Sequence, residues 1–147
     1  MPTYFISGHI NLTQVEFDTH YVPKINQVLN SNNKFVMGNA QGGDTLSLDY
    51  LISKKVNPKS ITIYYHGYDK NHPRNKDYYT NLGVNLIDGF RSYTHRDSAM
   101  TYTSDVDIAW VRPPEETKKL LESLGEVYRA SRISGTEKNL IRRQKKL

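Results

Sequence analysis

The chain has 147 residues, no cysteine and a formal net charge of +5. That length suits one domain with a single core, and zero cysteines exclude a disulfide scaffold and any thiolate metal site. The charge, with a pI near 9.3, favours anionic partners: nucleotides, nucleic acid or an acidic surface.

No apolar run approaches the roughly 18 residues of a membrane span. The opening MPTYFISGH carries no charged-then-apolar leader pattern. A cytoplasmic protein without a membrane partner is the expectation.

Thr3 to Ser7 reads as a first strand, closed by Gly8. Thr13-Gln-Val-Glu16 is a capping box, in which the two side chains satisfy free amides reciprocally. The helix it opens has apolar residues at Val15, Tyr21, Val22, Ile25, Val28 and Leu29, and Asn30 to Asn33 ends it. Lys34 to Met37 predicts a second strand. The turn from Gly38 to Asp44 then leads into a helix carrying Leu46, Leu48, Leu51 and Ile52.

Ser60 to Tyr65, rich in β-branched and aromatic residues, predicts a third strand. A polar loop runs from His66 to about Lys76, and Gly83 to Ile87 reads as a fourth strand. His95 to Thr103 predicts a short helix. Val106 to Val111 predicts a fifth strand, stopped by Pro113-Pro114, with Trp110 in the core. Leu120, Leu121, Leu124, Val127 and Tyr128 give Glu115 to Arg129 a helical spacing. A last helix begins after Ser134; Lys138, Arg142, Arg143, Lys145 and Lys146 predict a solvated face with a frayed end.

Strands alternating with helices through short connections argue for a parallel sheet covered on both faces. The expected fold is a three-layer α/β sandwich, Rossmann-like, as one domain over 1–147. Ligands of such sheets gather beyond the carboxyl ends of the strands. Three turns would meet there: Ser7-Gly8-His9, Gly38 to Asp44 with Gln41, Gly42 and Gly43, and Ser134-Gly135-Thr136-Glu137. Free amides and the macrodipole at a helix N-terminus attract anions. Gly42-Gly43 also suits a tight turn that packs a helix on the sheet, and Ser134-x-x-Glu137 is also a capping box.

The segments FISGH, FVMGNAQGGDTLSLDYL, SDVDIAWV and SGTEKNLIRR are similar to the SLOG superfamily of Rossmann-like nucleotide-binding domains. That group includes the lonely-guy phosphoribohydrolases and DNA-processing protein A. Gly38, Ala40, Gly42 and Asp44 match its Gly-x-Ala-x-Gly-x-Asp turn, Gly135-Thr136 its Gly-Thr turn, and Arg96 with Met100 its Arg-x-x-x-Met helix. Two departures stand out. A segment from Arg112 to Ile133, with an inserted helix at about 113–133, precedes the Gly-Thr turn, and Pro113-Pro114 does not reproduce the phosphoribohydrolases' Pro-Gly-Gly signature.

The resemblance implies a nucleotide, nucleoside phosphate or sugar phosphate ligand, and a homo-oligomer. Asp44 suits a ribose hydroxyl or a helix cap. Arg91 and Arg96 could grip a phosphate bidentately, and His9 stands at a strand exit. Cleavage of an N-glycosidic bond needs a carboxylate near the anomeric carbon; Asp44, Asp97 and Glu137 are available, with Glu137 and Asp97 the catalytic candidates. His66, Asp69 and His72 could in principle ligate a metal, but loop histidines seldom do so, and no metal or cofactor is expected. Tyr65 or Tyr68 could stack on a base. The expected function is thus a nucleotide sensor or sequestering module, or an N-glycoside hydrolase. Single-stranded nucleic-acid binding, motivated by charge and tyrosines, is the alternative.

Overall fold

The computed structural model describes residues 2–146. Five strands form one sheet: β1 (Thr3–Ile6), β2 (Lys34–Gly38), β3 (Ile61–Tyr64), β4 (Asn85–Ile87) and β5 (Val106–Ile108). Their order is β4-β3-β2-β1-β5, and every neighbouring pair is parallel. The helices are α1 (Gln14–His20), α2 (Val22–Asn26), α3 (Gly43–Ser53), α4 (Lys76–Leu82), α5 (Tyr93–Thr103), α6 (Pro114–Ser123) and α7 (Gly135–Lys146). The fold is the expected three-layer α/β sandwich.

Side chains alternate along each strand, and both faces of this parallel sheet are covered. One face presents Ile6, Phe35, Met37, Ile61 and Ile63 to Phe17, Tyr21, Ile25, Leu48, Leu51 and Tyr79 from α1 to α4. The other presents Phe5, Val36 and Tyr64 to Met100 of α5. Right-handed crossovers explain the division. The chain steps from β1 to β4 in one direction, with its helices on one face. Then α5 carries it back across the opposite face to β5, beside β1.

Helix α7 docks on α5 rather than fraying. Arg143 donates from Nη1 to the Ser104 carbonyl at 2.8 Å and from Nη2 to Asp107 at 2.9 Å. Lys146 donates to the carbonyls of Thr101, Tyr102 and Ser104 at 3.1, 2.9 and 2.7 Å. Apart from Asp107 of β5, these acceptors lie at the C-terminal end of α5, where the helix dipole favours cations. The two helices therefore run parallel, so α7 begins at the edge where the strands exit.

Other local expectations change. The first predicted helix divides at Tyr21 into α1 and α2, next to Pro23, which cannot donate to a helical ladder. Helix α4 occupies the stretch between the polar loop and the fourth strand, where no helix is expected. Asn75 caps it by accepting the Tyr78 amide at 3.1 Å, and Gly83 closes it at φ +84°. Strand β5 stops at Ile108, so Trp110 lies beyond it, half-buried, stacked on His20 at 3.9 Å. Helix α6 ends at Ser123, short of the expected Arg129, and buries none of its residues. No described helix is long and apolar enough to cross a membrane.

Candidate functional site at the strand exits

All strands are parallel, so the turns that follow them lie along one edge. The chain leaves β1 toward β2 on one face and reaches β5 from the other. The crevice between the β1 and β5 exits is therefore the topological switch point, where open α/β sheets hold ligands.

Glycines set the backbone of this edge. Gly8 and Gly43 lie against each other: a Cβ on Gly43 would stand 2.5 Å from Cα of Gly8. Gly42 has φ +73°, and a Cβ there would lie 2.5 Å from the Ile10 carbonyl oxygen. The His9 carbonyl accepts the amides of Gly43 at 3.0 Å and Leu12 at 3.1 Å. The glycine pair is thus required by the chain's own backbone, because the β1 and β2 exits touch. Gly42 gives α3 no side-chain cap.

Beside this contact sits a buried charged group. Asp44, within the first turn of α3, accepts the Ala40 amide at 3.0 Å. Arg96 of α5 donates to Asn39 Oδ1 at 2.9 Å and to Asp97 Oδ1 at 3.0 Å. Asn39 in turn accepts the His66 amide and donates to the Gly67 carbonyl. Burial raises the Asp44 carboxyl from 3.8 to about 7, against the pull of Arg96 and the Ala40 amide. Asp44 is therefore not the N-cap, which is Gly42; through the Ala40 amide it braces the turn.

The segment after β3 folds over the glycine turn. The Gln41 amide donates to the Asn71 carbonyl at 2.7 Å. Arg74 forms a bidentate pair with Asp49 of α3 at 3.0 Å. His72 stacks on Tyr93 at 4.4 Å, and Tyr93 donates to Asp69 at 2.8 Å. The sequence named His72 and Asp69 only as metal candidates; among the described residues no group of three or more His, Asp or Glu side chains could hold a metal ion. Tyr65 is buried in the core, while Tyr68 is exposed.

The switch point itself has two sides. On the α1 side it is filled: Arg112 donates its amide to His9 Nε2 at 3.0 Å and its guanidinium to Glu16 at 2.7 Å and Asn11 at 2.9 Å. Tyr21 donates to the Ser7 carbonyl at 2.7 Å and accepts the Trp110 amide at 3.1 Å. Burial and the nearby Arg112 lower the His9 imidazole to about 4, so it remains neutral and accepts. Arg112 and Tyr21 went unrecognised in the sequence, because nothing local marks either as a crevice residue.

The α7 side differs. Ser7 follows Phe5 in the strand alternation and so lies on the α5 face of the sheet. Its Oγ and the Oγ1 of Thr136 are buried without a hydrogen-bond partner among the described residues. Ser134 caps α7 by accepting the Glu137 amide at 3.1 Å. Gly135 is exposed and has open space beside it. Glu137 is half-buried, Asp97 is tied to Arg96, and Arg91 is exposed beyond β4. Two surface cavities have other linings. A cavity of about 260 Å³ involves Tyr65, Tyr68 and Lys76, and a cavity of about 310 Å³ at the strand-entry edge involves Leu29, Val56 and Ser60.

The chain matches no family model, and no curated protein or solved structure is detectably similar to it.

Proposed function

We propose that the chain binds a nucleotide or a related sugar phosphate at the strand-exit edge, with the phosphate between the β1 turn and the start of α7. Two buried, unpartnered hydroxyls at the β1 exit and the start of α7, Ser7 Oγ and Thr136 Oγ1, carry this reading. A buried polar group left unsatisfied costs about 1–3 kcal/mol. Phosphate oxygens would accept from both hydroxyls, beside a helix N-terminus whose amides and dipole favour an anion. Arg96, 6 % exposed, adds positive charge at the neighbouring exit.

The protein then acts as a sensor or sequestering module, or as an N-glycoside hydrolase; turnover separates the two. In the hydrolase, Glu137 or Asp97 supplies the carboxylate that stabilises an oxocarbenium-like transition state. A second copy is the partner that goes with this reading, since no residue of α6 is fully buried in its own chain. Single-stranded nucleic acid is the weaker alternative: Arg143 and Lys146 already serve α5, which reduces the basic face of the tail.

The test is native mass spectrometry with a panel of nucleotides, ribose 5-phosphate and inorganic phosphate, followed by chromatography of the products. Retained, unchanged ligand supports the sensor, and a released free base supports the hydrolase. Absence of binding, with a steeply salt-dependent affinity for single-stranded DNA, overturns the reading in favour of nucleic acid.

A further inference from the structure

The segment over the glycine turn holds a histidine arranged for a purpose the fold does not use. His72 is 5 % exposed. Its ring lies 4.4 Å from that of Tyr93 at an interplanar angle of 10°, which fixes its plane. Asp69 Oδ1 accepts the amides of Asn71 at 2.8 Å and His72 at 3.0 Å and faces His72 Nδ1 at 3.2 Å, while Oδ2 accepts the Tyr93 hydroxyl at 2.8 Å. A carboxylate so surrounded by donors stays ionised; the Tyr93 hydroxyl leads the groups that lower it to about 2. It can only accept, so Nδ1 carries the imidazole proton.

Nε2 is therefore a lone pair. It is buried and has no hydrogen-bond partner among the described residues. Burial also lowers the affinity of the ring for a second proton, despite Asp69. A buried acceptor of fixed direction, held by a second residue, is the arrangement that recognises a donor on a ligand. It belongs to the same edge as the hydroxyl pair. The Gln41 amide, donating to the Asn71 carbonyl at 2.7 Å, ties the segment that carries His72 to the turn after β2, beside the β1 exit.

We propose that His72 Nε2 accepts a hydrogen bond from a sugar hydroxyl of the bound nucleotide, with Asp69 as the positioning residue that keeps Nε2 unprotonated. This rests on the phosphate site at Ser7 and Thr136. Tyr93 supports the ring, and Arg96 and Asp97, the other charges acting on it, lie on the same turn of α5. The segment from His66 to Asn75 becomes the specificity element of the site, and the glycine turn beneath becomes its platform.

Calorimetry with AMP and with inorganic phosphate, on the wild type and three variants, tests this. His72→Phe keeps the stacking and loses the acceptor; AMP should bind about tenfold more weakly, the loss of one hydrogen bond, while phosphate binds unchanged. His72→Gln restores an acceptor near Nε2 and should recover part of the loss. Asp69→Asn, remote from the ligand, should weaken AMP by releasing the tautomer. In the wild type, nitrogen-detected NMR of the imidazoles should place the proton on Nδ1 and shift the Nε2 resonance when AMP is added. Equal AMP affinity in His72→Phe, or an unmoved Nε2 resonance at saturation, overturns the role of His72 alone. A wild type that binds neither AMP nor phosphate removes the phosphate site, and this inference with it.

Discussion

Asp44 and Arg96 meet beside Gly38: a Cβ built on that glycine would lie 2.7 Å from the Asp44 carboxylate and 2.9 Å from the Arg96 guanidinium carbon. An acid from α3 and a base from α5 thus converge on the space that a side chain at the end of β2 would occupy. Gly38→Ala forces these groups apart and should destabilise the fold by about 1–3 kcal/mol, as overpacking does. Urea unfolding measures it.

Asp44 gives the fold a pH dependence of unusual sign. Its carboxyl is raised by burial from 3.8 to about 7. Between those values the folded chain holds a proton that the unfolded chain has released. Its contribution is full below about pH 4 and declines as pH rises toward 7, by on the order of a few kcal/mol. Comparing urea melts of wild type and Asp44→Asn across this window isolates the effect. A difference between them that does not change with pH counts against it.

Ser7→Ala and Thr136→Val should move stability and affinity in opposite directions. Each removes a buried hydroxyl that has no partner, so the free protein should be as stable as before or up to about 1 kcal/mol more so. Each also removes a donor to phosphate, so AMP should bind about tenfold more weakly. Thermal unfolding with and without AMP reads both. Unchanged affinity in both variants would falsify the phosphate position.

Arg112 secures the β1 and β5 exits from the α1 side. Its side chain is 1 % exposed and that of its partner Glu16 is 18 % exposed. Arg112→Met leaves the glutamate and Asn11 without their donor and should cost about 3–5 kcal/mol. Burial pushes the Glu16 carboxyl up, but hydrogen bonds from Arg112 and Thr13, with the Arg112 charge, bring it net below its usual value. Its stabilisation is present above the unfolded value of 4.5 and disappears as pH falls through the lowered one. The stability gap between wild type and Arg112→Met, read from urea melts, should therefore narrow as pH falls below 4.5.

Gly42→Val with Gly43→Val would not report on a ligand. Side chains there meet the backbone of Ile10 and Gly8, so the double variant should lose its native circular dichroism whether or not anything binds. A folded, native-like double variant would overturn that packing.

The elements that rest on local chemistry are legible in the chain's residues. Alternation of strand and helix patterns specified the α/β class, and the Thr13–Glu16 box forms with both reciprocal hydrogen bonds. Ser134 accepts the Glu137 amide as its motif implies. Even the unexpected α4 has its signals in Asn75 and Gly83; its charged and aromatic exterior conceals them. These features need only neighbours within a turn, where spacing and side-chain type suffice.

Tertiary structure alone decided why the glycines are glycines and which charges are buried. Gly43 is constrained by Gly8, Arg96 by Asn39, and Arg112 by Glu16, and no local pattern links such distant partners. Once the parallel sheet forms, its exits are held a strand spacing apart. Backbones then touch where Cβ atoms are absent, and the low dielectric turns ordinary polar residues into obligate pairs. His72 passed from a loop histidine to a buried, oriented acceptor for that reason: its environment comes from Asp69, Tyr93 and Arg96, and only folding brings α5 beneath it.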